Sequence, residues 1–83
     1  MSLSLPQRAV MRVLDDFDRH AGEDAIAPTV DTVLHAANRS GTAGRGATRA
    51  TVGGLRKRCL LWQTADDRVL LTEAGRARLR EGL

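Results

Sequence analysis

Cysteine and aromatic residues are scarce in this chain of 83 residues. Cys59 is the single cysteine, and Phe17 and Trp62 are the only aromatic residues. One cysteine excludes an internal disulfide and any zinc site that is built from several cysteines. With so few aromatic side chains the core has to be built mainly from Leu, Val and Ala, and the length predicts one small domain over residues 1–83.

Long apolar runs are also absent. No stretch approaches the roughly 20 apolar residues that a membrane-spanning helix needs. The first residues, MSLSLPQR, lack the basic start and the apolar run of a secretory signal. The sequence therefore predicts a soluble, cytoplasmic protein without a membrane partner.

Candidate catalytic and metal-binding side chains are few. His20 and His35 are the only histidines, and no carboxylates stand at the spacing that a metal site or a catalytic dyad needs. The acidic run Asp15, Asp16 and Asp18 is interpreted as the solvated face of a helix. We therefore expect no enzymatic activity, no metal, no cofactor and no small-molecule ligand.

Charges of both signs are present but are unevenly distributed. The formal net charge is +3, and six of the ten acids lie within residues 15–31. No acid occurs between Thr32 and Ala65. The basic residues in that acid-free stretch are Arg39, Arg45, Arg49, Arg56, Lys57 and Arg58. Such a basic block indicates a polyanionic partner, with a solvated basic face as the alternative.

Apolar spacing and capping residues predict a helix-rich α+β fold. The segments with helical periodicity, each with a Ser or Thr near its start that can cap it, are 5–21, 30–38, 48–58 and 73–81. Residues 60–64 and 69–71 have strand character and flank a turn, which predicts a hairpin. Residues 26–28 are expected to be extended, and the glycine-rich stretch 39–46 is expected to be a loop.

The apolar faces of these helices predict a core. The residues expected to point inward are Val10, Val13, Leu14 and Phe17 in the first helix, Val30, Val33, Leu34 and Ala37 in the second, Val52 and Leu55 in the third, and Ala77 and Leu79 in the last. Trp62 is interpreted as a core side chain beneath the hairpin, with a surface aromatic that binds a partner or a base as the alternative. Cys59 is interpreted as a small buried side chain, with a reactive thiol as the alternative.

Two segments carry a family resemblance. Residues 52–62, VGGLRKRCLLW, resemble the end of the recognition helix in winged-helix regulators, which often reads V-x-x-L-x-x-x-G-L-[IV]. Residues 67–75, DRVLLTEAG, are similar to the D-x-R…L-T-x-x-G wing and last helix of MarR-type proteins. The resemblance implies a mostly helical winged helix-turn-helix, with a three-helix core, a two-stranded hairpin wing and a C-terminal helix.

Several departures from MarR-type proteins limit what the resemblance implies. Cys59 stands where the family usually has glycine, so we expect the turn after the third helix to be built differently. The wing is shorter, the loop 39–46 is longer, and the long dimerisation helices are absent. The fold and DNA binding are carried over, whereas drug sensing and the family's dimer are not. A monomer or a weak homodimer is expected.

The resemblance implies sequence-specific binding of double-stranded DNA, with helix 48–58 in the major groove and the wing 61–71 on the flanking backbone. The candidate DNA-binding residues are Arg45, Thr48, Arg49, Thr51, Gly53, Arg56, Lys57, Arg58 and Arg68. Arg49 and Thr51 are candidates for base or phosphate contacts. The basic residues 56–58 are candidates for phosphate contacts, and they also suit the C-terminal dipole of the helix.

Arg68 and the glycines of the third helix each have two interpretations. Arg68 is a candidate for the minor groove, and the alternative is a salt bridge to Asp66 or Asp67. Gly53 and Gly54 indicate either close approach of the helix backbone to DNA or close packing against a neighbouring element. The predicted function is that of a small transcriptional regulator or DNA-reading module of phage, plasmid or chromosomal origin. The alternative is a winged-helix module for protein–protein interaction.

Overall fold

The computed structural model describes residues 2–21, 26–39 and 46–83. The elements in chain order are α1 (Leu5–His20), α2 (Val30–Arg39), α3 (Arg49–Lys57), β1 (Leu61–Gln63), β2 (Val69–Leu71) and α4 (Glu73–Arg80). Each helix agrees with its predicted range to within one residue at either end, and the prediction of four helices and an antiparallel hairpin is confirmed. The predicted loop 39–46, apart from its first and last residues, lies outside the described residues.

Helix α1 is the central element of the core. A capping box begins it: the Ser4 backbone N–H donates to Gln7 Oε1 at 2.9 Å, and the Gln7 backbone N–H donates to Ser4 Oγ at 3.2 Å. Its apolar stripe, which includes Val10, Met11 and Leu14, is buried. Because α1 contacts α2, α3, α4 and β2, this stripe holds the other elements around one core.

The segment before α2 is joined to the two-stranded hairpin. β1 and β2 pair with Trp62 opposite Leu70. On the other side of β2, Thr29 and Arg68 form a β-bridge, and a backbone hydrogen bond of 2.9 Å joins β2 to the Pro28 carbonyl. Pro28, the last residue of the predicted extended segment, therefore bonds to the hairpin, and this contact ties the start of α2 to the hairpin.

Thr72 and Gly75 join the last helix to the turn after α3. Thr72 caps α4, because its Oγ1 accepts from the Gly75 N–H at 2.9 Å, and the same hydroxyl donates to the Cys59 carbonyl at 2.6 Å. A Cβ atom on Gly75 would overlap the carbonyl oxygen of Leu60. The L-T-x-x-G pattern thus corresponds to a capping side chain and a close backbone contact.

In the turn after α3, both the backbone conformation and the exposure of Cys59 differ from the predictions. Its φ angle is 59°, in the left-handed region. The Leu60 N–H donates to the Leu55 carbonyl at 3.1 Å and the Cys59 N–H donates to the Arg56 carbonyl at 2.9 Å, which is a Schellman turn. The expectation of a differently built turn is wrong, because the cysteine adopts the conformation that glycine would. The prediction that Cys59 is buried is also wrong, because its side chain is exposed. Leu60, the next residue, is the one that packs in the core.

The prediction that Trp62 and Phe17 are core residues is wrong. Both are exposed. Trp62 follows the buried Leu61 in a strand, so alternation places it on the solvent side, and the space beneath the hairpin is filled by Leu61, Val69 and Leu71 instead. Phe17 lies in the last turn of α1, where it lines an open groove. Of the other predicted core residues, the ones that are only half-buried are Leu34, Ala77 and Leu79.

Candidate nucleic-acid interface

Helix α3 is anchored by its inner face and by a side chain from α2. Val52 and Leu55 are buried in the core. Asn38 donates from Nδ2 to the Ala47 carbonyl at 3.1 Å and accepts at Oδ1 from the Ala47 N–H at 3.2 Å, just before α3 begins. Sequence reasoning missed Asn38. An amide side chain in the last turn of a helix, ahead of a loop, is the signal that could have identified it.

Apart from Gly53, the predicted contact residues of α3 lie toward its two ends. Thr48 and Arg49 are at the N-terminal end, where the Thr48 N–H donates to Thr51 Oγ1 at 3.1 Å. Thr51 is half-buried, and its hydroxyl is engaged in this cap. The basic residues 56–58 are exposed at the other end. Arg45 lies outside the described residues.

Gly53 and Gly54 have different surroundings. Among the residues that the structure describes, no heavy atom outside the helix lies within 4 Å of a Cβ built on Gly53. A Cβ on Gly54 would lie 3.1 Å from Nε2 of Gln7 in α1. The packing interpretation therefore fits Gly54, whereas Gly53 presents an open stretch of helix backbone.

Arg49 is held by two acids from other elements. Its guanidinium forms a bidentate pair with Asp67, with Nη1–Oδ1 at 3.0 Å and Nη2–Oδ2 at 2.7 Å, and Nη2 lies 3.1 Å from Asp31 Oδ1. Hydrogen bonding to Asp67 is the main cause that raises the pKa of Arg49. The same hydrogen bond, followed by one from Gln63, lowers the pKa of Asp67. The start of α3 is thereby joined to α2 and to the turn of the hairpin.

Gln63 extends this set of contacts toward the other end of α3. Its Nε2 donates to Asp67 Oδ1 at 2.9 Å, and its Oε1 accepts from Arg56 Nη1 at 3.1 Å. We refer to Asp31, Arg49, Arg56, Gln63 and Asp67 together as the bridging cluster. It orients two of the predicted DNA-binding arginines through side chains of the hairpin and of α2.

Arg68 folds back onto the body of the protein. Its Nε pairs with Asp66 Oδ2 at 3.1 Å, and its Nη1 donates to the Ala27 carbonyl at 2.6 Å. A hydrogen bond from Thr64 is the main cause that lowers the pKa of Asp66, and Arg68 adds to it. The salt bridge that was the alternative for Arg68 is therefore present, and entry into a minor groove requires this side chain to leave both partners.

The two ends of α3 differ in charge. Around the N-terminal end, Arg49 and Arg68 face three carboxylates in the ion pairs just described. At the C-terminal end, the basic residues 56–58 form no ion pair with any acid in the described part of the chain. Uncompensated positive charge is therefore concentrated at the C-terminal end, whereas sequence reasoning emphasised the start of the helix.

Neither a metal site nor a membrane-spanning helix is found in the described part of the chain. Among the residues that the structure describes, no three His, Cys, Asp or Glu side chains are grouped to hold a metal ion, and no helix combines the length and the apolar character needed to cross a membrane. No family model, no curated protein and no solved structure matches the chain.

Proposed function

We propose that this chain is a winged helix-turn-helix protein that binds double-stranded DNA in a sequence-specific manner, as a small transcriptional regulator or DNA-reading module. The observation that carries the proposal is the exposed basic end of α3, residues 56–58, on a helix whose opposite face is packed in the core. An α-helix presented in this way fits the major groove of B-DNA. The hairpin beside it corresponds to the wing.

The residues of α3 have distinct roles in this proposal. Residues 56–58 contact phosphates, which position the protein and provide salt-dependent affinity. The open backbone at Gly53 allows the helix to approach the groove closely. Arg49 exchanges its carboxylate partners for a base edge or a phosphate, because its guanidinium is exposed although it is paired. Arg68 and the rest of the wing lie along the flanking backbone.

Selection from random duplex DNA at two salt concentrations tests this proposal. We expect an enriched motif and an affinity that falls steeply with salt. The double variant Lys57→Ala/Arg58→Ala should lower the magnitude of the salt slope by about 0.9 for each phosphate contact that is lost. Arg80→Ala is the matched control, because it removes an exposed positive charge from α4, beside Asp15 and Asp18 and away from α3. No binding to any duplex at low salt, or an equal effect of Arg80→Ala, would contradict the proposal.

The alternative function is a protein-interaction module. The exposed apolar pair Trp62 and Leu70 on the outer face of the hairpin favours it. This alternative predicts a salt-tolerant complex with a protein and no binding to duplex DNA.

A further inference from the structure

The outer face of the hairpin carries an apolar surface that the core does not use. Trp62 and Leu70 are opposite each other across the two strands and are 64% and 45% exposed. Because opposite residues on one face of a sheet are within side-chain contact distance, they form one continuous patch.

This patch continues into a groove on the side of the molecule. Leu70 lines the groove together with Phe17 of α1 and Ile26 of the extended segment, which are 40% and 77% exposed. Pro28 and Leu71 also line the groove. We refer to the surface formed by Phe17, Ile26, Trp62 and Leu70 as the apolar face. Three separate parts of the chain contribute to it.

We propose that the apolar face binds a second copy of this chain, so that the protein forms a two-fold symmetric dimer. A fully exposed aromatic side chain presents about 150–250 Å², and with that value for all four residues their exposed fractions give about 340–560 Å² for the apolar face. If apolar atoms form about 65% of the interface, as in other homodimers, each copy buries about 520–870 Å². That range includes the ~800 Å² per partner of a standard stable interface.

The charges around the apolar face suit a second copy better than a partner of one charge sign. On the α1 side, Asp18 pairs with Arg76 at 3.0 Å. On the hairpin side, Arg68 pairs with Asp66 at 3.1 Å. Each of these pairs is neutral as a whole, so the described part of the rim offers no net charge to a strongly acidic or strongly basic partner. A second copy carries the same two neutral pairs, so a two-fold contact brings no unpaired charges of one sign together there.

Trp62 provides a direct optical test, because it is the single tryptophan. We expect sedimentation of the full chain, without DNA, to show a shift from monomer to dimer mass as its concentration rises through the micromolar range. The tryptophan emission should move to shorter wavelength over the same concentrations, because the indole leaves water in the dimer. A monomer mass throughout that range, or an emission maximum that does not move, would overturn the proposal.

Substitutions then locate the interface. Leu70→Asp and Ile26→Glu should each give a monomer at all concentrations, with the helical circular dichroism of the parent protein. Leu5→Asp is the matched control, since Leu5 is 60% exposed but lies at the opposite end of α1 from Phe17. If Leu5→Asp disrupts the dimer as strongly as Ile26→Glu, the assignment of the apolar face is wrong. Because no step uses DNA, this result and the result of the DNA selection are independent.

Discussion

Cys59 and Asp67 have positive φ angles of 59° and 65°, and each lies where the chain reverses direction. Cys59 ends α3, and Asp67 completes the turn of the hairpin, where its N–H donates to the Thr64 carbonyl at 3.1 Å. Left-handed backbone strains a residue that has a Cβ atom. Both positions are therefore held by the hydrogen bonds around them rather than by their own conformational preference.

Replacement of Cys59 by glycine should stabilise the protein. The left-handed strain costs of order 1–2 kcal/mol, and part of the gain is offset by the greater flexibility of glycine in the unfolded chain. We expect the free energy of unfolding, measured by urea denaturation, to rise by about 0.5–1 kcal/mol. Cys59→Ser keeps the Cβ atom and removes only the thiol, so it should leave stability nearly unchanged. Equal gains in the two variants would show that the thiol, and not the backbone, is responsible.

The carboxylate of Asp67 should make the free energy of unfolding depend on pH in the acidic range. Its hydrogen bonds with Arg49 and Gln63 lower its pKa in the folded state. A group with a lowered folded pKa contributes stability above its unfolded pKa, which is about 3.9 for Asp, and loses that contribution as pH falls through the folded value. The stability of the parent protein should therefore fall more than that of Asp67→Asn between neutral pH and about pH 3.

Thermal unfolding at a series of pH values measures this difference. Asp16→Asn is the control, because the side chain of Asp16 forms no ion pair within the described residues. It should retain the acid dependence of the parent protein. Parallel curves for the parent protein and Asp67→Asn would exclude a contribution of the Asp67 contacts to folding.

At the level of the elements, two glycines in helices differ in their surroundings: one is packed against a neighbouring segment and the other faces open space. Gly75 lies in the first turn of α4 against the backbone of Leu60, whereas Gly53 lies on the open side of α3. The two positions look alike in sequence, since each is a glycine inside a predicted helix. Only the neighbouring elements show that one position has no room for a side chain and that the other has.

Gly75→Ala and Gly53→Ala should therefore change stability in opposite directions. The new methyl group on Gly75 meets the Leu60 carbonyl oxygen, which we expect to cost about 1–3 kcal/mol as other overpacked sites do. Gly53→Ala should add about 1 kcal/mol, because alanine favours the helix and no described residue outside the helix comes within 4 Å of the new methyl group. Chemical denaturation of both variants measures these effects. A loss of stability in Gly53→Ala would show that this face of α3 is not open.

Gly53→Ala also bears on the proposed DNA contact. If the backbone of α3 approaches the groove at this position, the variant should bind DNA more weakly although it is more stable. Opposite changes in stability and affinity cannot come from loss of folding. An unchanged affinity for the selected duplex would show that Gly53 is not at the contact.

For the whole molecule, the core depends on one helix. Met11 is fully buried in α1, and it is among the largest side chains that are completely enclosed. An 83-residue domain has a free energy of unfolding of only about 4–12 kcal/mol. A cavity at the centre of such a core should remove a large fraction of that stability.

Met11→Ala should cost about 2–5 kcal/mol, and Met11→Leu, which keeps most of the volume, should cost less than about 1.5 kcal/mol. Denaturant unfolding monitored by helical circular dichroism compares the two. Similar losses in both variants would indicate that the shape of the methionine, and not the volume it fills, is what the core requires.

The sequence by itself determined the order and the limits of the helices, the hairpin and the short extended segment. The reason is that capping boxes, helical periodicity and turn residues act between positions a few residues apart, as Ser4 and Gln7 do at the start of α1. It also identified Thr72 and Gly75 as a pair, although not the backbone contact that requires the glycine. The same local patterns located the basic stretch on α3.

Only the tertiary structure decided which of those side chains are available. Arg49 is paired with acids that lie 18 positions away on either side in sequence, and no local pattern reports such contacts. The side of the hairpin that faces the core depends on the register of the strands, so Trp62 was assigned to the wrong face. Cys59 shows the same limit, because the hydrogen bonds of the surrounding fold impose a conformation that its own preference opposes.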